Sequence, residues 1–376
     1  MNDSIDFEAE GLADGLDGDA REARLKLLGE LAAEGVSLEE LTEAVAEGRL
    51  ALLPVERALA GGGARYSSEE IAEKSGLSRE FLDQQWGALG LALHEPDEPA
   101  YTERDLEAAE RVALMRDGGL SDDGILEVAR VLGMTMSQLA AANRTLIAAT
   151  FLDDGTDEYE VATRLEKAAE TFTPMISELL GYTLNLHLRE QIRHDAIASG
   201  AGARGSIVSA RDTVVCFADM VQFTRLGERL PPEELGAVTG RLTALATAAS
   251  APSVRLVKLI GDAAMFVGPE PDAVVETALN LVEAAEAEGD DFPLLRAGVA
   301  SGEALPRGGD WYGSPVNIAS RITDVARPGS VLVAEEVHDR LGDDFAWSFA
   351  GSRKLKGIDG EAKLYRCRRL DADAAT

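Results

Sequence analysis

The segment Thr213–Phe266 has the clearest structural pattern in the sequence. It begins with TVVCFADMVQFT (213–224) and ends with VRLVKLIGDAAMF (254–266). The first run is rich in β-branched and aromatic residues, which predicts a strand with Asp219 near its end. Asp262 follows Gly261 between two further strand-like runs, which predicts a hairpin. Carboxylates are costly to bury alone, so the pair is a candidate cation site. Taken singly, Asp262 is more typical of a hairpin turn and Asp219 of a helix cap.

Strand and helix patterns alternate through the rest of the C-terminal half. The order strand, helix, strand, strand, helix, strand predicts an α+β domain with a ferredoxin-like or polymerase-palm βαββαβ core. A helix, a strand, a short helix and two further strands follow this core. The segments are predicted at 212–220, 232–251, 255–260, 263–267, 271–288, 294–302, 315–326, 330–334, 346–354 and 363–367.

The N-terminal half shows only helical periodicity. Residues 1–20 form an acidic, Gly-containing tail that we expect to be loosely attached, and residues 21–198 form an all-helical domain. The run Ser137–Leu152 is apolar enough to predict a central helix of that domain. The Gly- and Ala-rich segment 199–205 is the predicted linker, and 206–370 is the α+β domain.

Residues Tyr66–Leu91 have the pattern of a helix-turn-helix and are similar to the start of MerR-type DNA-binding domains. A recognition helix needs basic side chains towards the DNA groove. This one offers Arg79 against Glu80 and Asp83. A helical packing unit is therefore the favoured interpretation, and a DNA-binding regulator is the alternative.

Composition excludes several partner classes. The 376 residues carry a formal net charge of −31, which repels nucleic acid and anionic lipid and predicts no nucleic-acid partner. No run approaches the ~18 apolar residues of a membrane span. The N-terminus is acidic, unlike a signal peptide. Cys216 and Cys367 lie in strand-like segments, so we expect reduced core thiols and a cytoplasmic protein.

Three motifs in order, FADMVQFT, VKLIGDAAMF and DWYGSPVNIASRI, resemble those of the class III nucleotidyl cyclases, over about residues 205–370. The resemblance implies conversion of ATP to cyclic AMP and pyrophosphate with two metal ions per site, Mg²⁺ or Mn²⁺. It implies that Asp219 and Asp262 are the metal carboxylates, with the backbone carbonyl of Met220 as a further ligand. Gln222 departs from the family, which usually has Gly at that position.

The same resemblance implies roles for five other residues. Lys258 and Asp310 match the adenine-selecting pattern, whereas guanine readers typically carry an acid in place of this lysine. Asn317 would orient the ribose, and Arg321 would stabilise transition-state charge. Lys356 matches the triphosphate-binding lysine more weakly. Without the resemblance, an ordinary edge-strand lysine and an ordinary turn aspartate are the favoured interpretations of Lys258 and Asp310.

Family members place the metal carboxylates of one catalytic domain against the base-reading residues of another, so a homodimer is implied. Some bacterial cyclases of similar layout carry a helical N-terminal domain that restrains catalysis, which predicts an inhibitory regulatory domain here. His187 and His194 lie seven apart, on one face of the helix predicted at 174–198. Two ordinary solvent-facing histidines are the favoured interpretation, and a helix whose charge changes with pH is the alternative. The alternatives are a silent nucleotide-binding module and a guanylate cyclase.

Overall fold

The computed structural model describes residues 5–61, 63, 65–152, 155–198 and 210–370, without the side chains of 194–198. The chain divides into two compact units, Met1–Leu188 and Arg189–Thr376. The predicted linker 199–205 lies outside the described residues, as does the side chain of His194.

The first unit is helical in its described residues, and serine caps begin several of its helices. Ser37 accepts a hydrogen bond from the Glu40 N–H, and Ser67 forms a reciprocal capping box with Glu70. The helices are α1 (Gly18–Ala33), α2 (Leu38–Ala46), α3 (Leu53–Ala60), α4 (Ser68–Ser75), α5 (Arg79–Leu89), α6 (Glu103–Asp117), α7 (Asp122–Phe151) and α8 (Glu158–Ala198).

Helices α7 and α8 are each continuous, whereas helical periodicity in the sequence predicts separate helices at 121–132 and 137–152, and at 157–172 and 174–198. Helix α7 continues through Gly133, where it packs closely against α5. A Cβ at this position would lie 2.4 Å from the Leu89 carbonyl oxygen, so only glycine allows this approach. Pro174 lies inside α8. A proline removes one helical hydrogen bond but does not have to end the helix.

The acidic N-terminal segment is packed from residue 5 onwards, which corrects the expectation of a loose tail for its described residues. Leu12 is buried in one cluster with Leu28 and Leu41, and Phe7 packs against the same cluster. The Arg24 guanidinium donates a hydrogen bond of 3.2 Å to the Leu12 carbonyl oxygen. These few apolar residues bury enough apolar surface to hold the segment, although its overall composition is acidic.

The helix-turn-helix segment is a packing unit. Gly76, in the left-handed region at φ 74°, turns α4 into α5. Trp86 stacks on Tyr101 with ring centroids 4.3 Å apart and belongs to a buried cluster with Ile71. Arg79 lies 3.5 Å from Asp83 on its own helix. The buried faces of both helices are therefore used for packing within this unit.

The predicted central helix, 137–152, is largely exposed in the monomer, which corrects that expectation. Leu146 is 65% exposed, and the buried residues of α7 lie in its first half. Of the described residues, α7 is the one helix long and apolar enough to cross a membrane by length and composition alone. Core helices of soluble proteins pass the same test.

The second unit is built on an eight-stranded mixed sheet. Its strand order is β2-β3-β1-β4-β6-β8-β7, with β5 paired to β4, and β2-β3-β1-β4 with the intervening helices is the predicted βαββαβ core. The elements are β1 (Arg211–Met220), α9 (Phe223–Gly227), α10 (Pro232–Ala249), β2 (Arg255–Ile260), β3 (Ala263–Gly268), α11 (Pro271–Ala287), β4 (Leu295–Arg307), β5 (Asp310–Gly313), α12 (Ser314–Val325), β6 (Ser330–Ala334), α13 (Glu335–Leu341), β7 (Ala346–Arg353) and β8 (Ala362–Arg368).

Each face of this sheet has its own core. Cys216 and Ala218 of β1 face the cluster that contains α10 and α11, whereas Val215 and Phe217 face α12. Gly298 allows α12 to lie directly on β4, because a Cβ there would be 2.4 Å from the Thr323 nitrogen. Strand alternation therefore places Asp219 on the α12 face.

The two cysteines are buried and free, as predicted. Burial raises the pKa of the Cys216 thiol to about 12, and that of Cys367 to about 12. Both are therefore uncharged packing residues near neutral pH.

Candidate active site

Asp219 and Asp262 are brought together at one end of the sheet. Asp219 pairs in register with Ala263, the residue after Asp262, across the β1–β3 ladder. Gly261, at φ 61°, makes the β2–β3 turn that carries Asp262. Met220, the buried last residue of β1, donates its N–H to the Asp262 carbonyl oxygen at 3.0 Å. The sequence placed the two carboxylates at strand ends, and the strand pairing makes them neighbours.

Arg296 joins this pair, although the sequence did not single it out. It lies opposite Asp219 in the β1–β4 register, and its Nη2 is 2.9 Å from Asp219 Oδ2. Its Nη1 donates to the Asp324 carbonyl oxygen at 2.7 Å, which anchors the guanidinium to the end of α12. The only available signal was a basic residue at the start of a strand, which is too common to be diagnostic.

The pKa of Asp219 is raised, first by burial and then by the negative charge of Asp262. The Arg296 guanidinium acts in the opposite direction by hydrogen bonding to the carboxylate. The Arg296 guanidinium balances only one of the two neighbouring carboxylates. A metal ion would neutralise the negative charge that remains.

The donor set at this end of the sheet fits a hard cation. Asp219, Asp262 and the backbone carbonyl of Met220 offer only oxygen, which Mg²⁺ and Mn²⁺ prefer. No group of three or more His, Cys, Asp or Glu side chains in the described ranges could hold a metal ion. Such an ion therefore needs ligands from elsewhere, as at sites completed by substrate phosphates and water.

Lys258 and Asp310 form an ion pair through Nζ and Oδ2. A bulge between Leu256 and Lys258 shifts the β2 register by one residue and reorients the strand here. Asp310 begins β5, a short strand that the sequence reasoning missed, and its Oδ1 accepts the Trp311 N–H at 2.8 Å. The structure thus joins two residues that lie 52 positions apart.

Asn317, Arg321 and Lys356 are exposed and stand apart from these pairs. Arg321 Nη1 lies 3.2 Å from Asp324 Oδ2, on the same helix. Lys356 lies in the turn between β7 and β8, which the buried Leu355 anchors. Within the described residues, none of the three makes a hydrogen bond or ion pair with Asp219, Asp262, Lys258 or Asp310.

Gln222 occupies a left-handed backbone conformation at φ 63°, and of the described residues it is the one non-glycine with positive φ. This conformation costs a non-glycine residue roughly 1 kcal/mol. Gln222 ends the turn after β1, and its carbonyl accepts the Arg225 N–H at 3.0 Å in the short helix α9. The chain therefore makes the glycine-type turn with a glutamine.

Two family models match the chain. The adenylate cyclase regulatory domain matches residues 5–192, and the adenylate and guanylate cyclase catalytic domain matches residues 208–368. The first corresponds to the helical unit and the second to the sheet domain.

Similar proteins include the pH-sensitive adenylate cyclase of Mycobacterium tuberculosis (strain CDC 1551 / Oshkosh), 39% identical over 98% of this chain and 94% of that protein. The adenylate cyclase of Streptomyces coelicolor is 34% identical over 75% of this chain and 73% of that protein.

A solved cyclase from Silicibacter pomeroyi, described as an adenylate/guanylate cyclase/hydrolase, is 25% identical over 44% of this chain and 99% of its own, with a TM-score of 0.40. The adenylyl cyclase CyaB from P. aeruginosa is 20% identical over 44% of this chain and 98% of its own, with a TM-score of 0.37.

The regulatory-domain match covers half of the chain, and the M. tuberculosis relative aligns with nearly all of it. The order of the two matched domains is also the order of the two structural units. The chain therefore belongs to the class III adenylate cyclases of the bacterial type, in which a helical regulatory domain precedes the catalytic domain.

Proposed function

We propose that this adenylate cyclase converts ATP to cyclic AMP and pyrophosphate at composite sites formed by two copies of the chain. The observation that carries the choice of ATP is the ion pair between Lys258 and Asp310. The two side chains present an ammonium donor and a carboxylate acceptor side by side. Adenine offers the complementary edge, because its N1 accepts a hydrogen bond and its 6-amino group donates one.

Adenine binding would exchange the Lys258–Asp310 bond for two bonds to the base. Lys258 is one-third exposed at its side chain, so a base can reach it from solvent. Asp310 keeps the Trp311 N–H on its other oxygen during this exchange, which holds the carboxylate in place. A guanine edge has a carbonyl oxygen where adenine has the amino group, and the Asp310 carboxylate would repel it.

Asp219, Asp262 and the Met220 carbonyl are the groups that would hold the metal ions. Bound Mg²⁺ or Mn²⁺ would polarise the α-phosphoryl group and lower the pKa of the ribose 3′-hydroxyl. Arg296 keeps Asp219 oriented through its anchor at Asp324. In-line attack of the 3′-oxygen would form its bond to the α-phosphorus and break the bond to pyrophosphate, the 3′-hydroxyl proton passing to water. Arg321 is the cation available for the developing charge.

A second copy of the chain would complete each site. Asn317 and Arg321 are exposed and make no contact with the carboxylate pair within the described residues. Apolar side chains are exposed beside the functional groups: Ile260 next to the Asp262 turn is 51% exposed, and Tyr312 beside Asp310 is 58% exposed. A two-fold dimer would cover such residues and supply Asn317 and Arg321 from the partner.

The base assignment predicts that Lys258→Glu lowers kcat/KM for ATP by roughly 10- to 100-fold and improves the ratio of GTP to ATP use. Initial rates of cyclic AMP and cyclic GMP formation by the full chain, with Mn²⁺ and with Mg²⁺, measure this. Lys363→Glu is the control, because Lys363 pairs with Glu335 outside the site. Equal loss in both variants would contradict a base-reading role for Lys258, and GTP preference in the wild type would favour a guanylate cyclase.

We further propose that the helical unit inhibits the catalytic unit in a pH-dependent way. Support comes from the full-length similarity to a pH-sensitive relative and from α8, which runs through the boundary between the two units. His187 is exposed on this helix. Glu166 is the acid of α8 whose pKa is raised, first by burial and then by Glu34, Glu170 and Glu30.

Glu166→Gln should alter the pH dependence of stability. A raised pKa in the fold means that Glu166 contributes stability below its unfolded pKa, and this is lost as pH rises through the folded pKa. Wild type and variant should therefore be similarly stable near pH 4, with the variant more stable at pH 8. Urea midpoints across this range measure it, with the exposed Glu178→Gln as control. Parallel pH curves for wild type and Glu166→Gln would refute the assignment.

A further inference from the structure

Two arginines of β8 lie on the α12 side of the sheet, and a third lies in the neighbouring turn before β6. Arg366 and Arg368 alternate on β8 with Cys367, which belongs to the opposite core. Arg366 is paired with Leu332 of β6, whose side chain belongs to the α12-side core. Arg327 precedes β6 in the turn after α12. We call Arg327, Arg366 and Arg368 the arginine cluster.

The cluster lacks counter-charges among the described residues. No ion pair or hydrogen bond from these three side chains to a carboxylate is found there. The neighbouring basic residues of the same segment are paired: Lys363 lies 2.7 Å from Glu335, and Arg369 lies 2.7 Å from Glu276. The difference is notable in a chain with a net charge of −31, where carboxylates are abundant.

The cluster is electrostatically unfavourable by itself. The Arg366 Nε is buried and has no hydrogen-bond partner. Burial lowers the pKa of Arg366, and the positive charges of Arg368 and Arg327 lower it further. A bound anion would remove this repulsion and provide the missing acceptors.

The backbone positions of the three arginines are fixed before any ligand binds. The β8 strand is hydrogen-bonded on both sides, to β6 and β7. The turn that carries Arg327 is fixed by the Ser330 hydroxyl, which donates to the Arg327 carbonyl oxygen at 2.6 Å, and by the Gly329 N–H, which donates to the Leu295 carbonyl oxygen at 2.8 Å. Little backbone ordering is therefore needed for binding, which favours affinity.

The cluster is continuous with the catalytic end of the sheet. Asp219 pairs with Arg296 on β4, and Arg296 pairs with Ser330 on β6. Arg368 on β8 follows Cys367, the partner of Val331, and so lies level with Ser330. Three strand spacings of ~4.8 Å put Arg368 about 14 Å from Asp219 across the same face.

We propose that Arg327, Arg366 and Arg368 form a second anion site that binds inorganic pyrophosphate outside the catalytic site. Pyrophosphate carries several negative charges over two phosphoryl groups, which suits three guanidinium groups better than a single phosphate does. The identification of the pyrophosphate as the reaction's own product rests on the proposed function, whereas the binding itself does not. Occupation of this site next to the catalytic end would keep released product near the enzyme and contribute to product inhibition.

The test measures pyrophosphate binding to the full chain by calorimetry and thermal unfolding, without nucleotide or divalent metal, at ionic strength matched with NaCl. Pyrophosphate should bind and raise the Tm of the wild type more than inorganic phosphate does. Arg366→Gln and Arg368→Gln should each weaken binding about tenfold. Arg369→Gln is the matched control, because Arg369 lies on the other side beside Glu276 and should bind as wild type.

Two controls distinguish the possible reasons for weak binding. Asp219→Asn should retain pyrophosphate binding, and loss of binding there would place the anion in the catalytic site and overturn the proposal. Arg366→Gln should unfold at or above the wild-type Tm without pyrophosphate, since it removes the unpartnered Nε and the repulsion from Arg368 and Arg327, so weak binding cannot be attributed to misfolding. No binding by the wild type at millimolar pyrophosphate also overturns the proposal. Binding by a chain that makes no cyclic nucleotide would instead refute the proposed function alone.

Discussion

Asp219→Asn is expected to lower cyclic AMP formation from ATP by about 10³-fold or more, because two-metal chemistry depends on this carboxylate for several kcal/mol of transition-state stabilisation. Asparagine keeps the shape of the side chain but not its charge. The fold should survive, since losing the ion pair with Arg296 is offset by removing the repulsion from Asp262 that helps to raise the Asp219 pKa.

Product formation at saturating ATP and Mn²⁺ measures the loss, and urea unfolding checks the fold. Asp212→Asn is the matched control: it lies on the same strand, is exposed and contacts Arg340 at 3.0 Å away from the carboxylate pair. It should keep wild-type activity. An Asp219→Asn enzyme as active as this control would remove Asp219 from the metal assignment.

Arg321→Ala is expected to lower kcat by roughly 10²- to 10³-fold with little change in KM, because the guanidinium would act mainly on charge that develops in the transition state. Stability should change by less than about 1 kcal/mol, since Arg321 is exposed and its described partner is Asp324 one turn away. Steady-state rates with ATP measure both parameters. An effect confined to KM would indicate ground-state binding of ATP instead.

Mixing the two inactive variants tests the composite site directly. In a heterodimer of Asp219→Asn and Arg321→Ala chains, one site receives both defects and the other receives none. Random exchange of subunits should therefore restore roughly a quarter of wild-type activity in an equimolar mixture. A labelled-subunit exchange measurement establishes that heterodimers form. Heterodimers without recovered activity would show that both residues act within one chain.

Local patterns were sufficient for most of the catalytic domain. The apolar run of β-forming residues around Cys216 predicted β1, and Gly-Asp at 261–262 predicted the hairpin with strands at 255–260 and 263–267, close to the observed limits. These predictions succeed because β-branched and aromatic residues favour strands and turns need particular backbone conformations. The short strand β5 was not predicted, because four residues show too little periodicity to be recognised.

The wrong predictions in the helical half arise because local patterns do not record contacts between residues far apart in the sequence. Gly133 and Pro174 are local helix breakers, yet α7 and α8 continue through them. At Gly133 the decisive factor is its close approach to Leu89 on another helix. The packing of Leu12 likewise depends on partners 15 and more residues away, which the composition of residues 1–20 does not reveal.

Local sequence patterns were enough to predict the class of the domains, the strand-end positions of Asp219 and Asp262 and, through the motifs, the family. Which charged groups pair with each other depends on the folded chain. Arg296 reaches Asp219 across 77 positions, Lys258 reaches Asp310 across 52, and Arg366 and Arg368 are left without a carboxylate among the described residues. The reason is that periodicity records which side of an element is buried, whereas ion pairing depends on strand register, on a bulge at Lys258 and on where α12 ends.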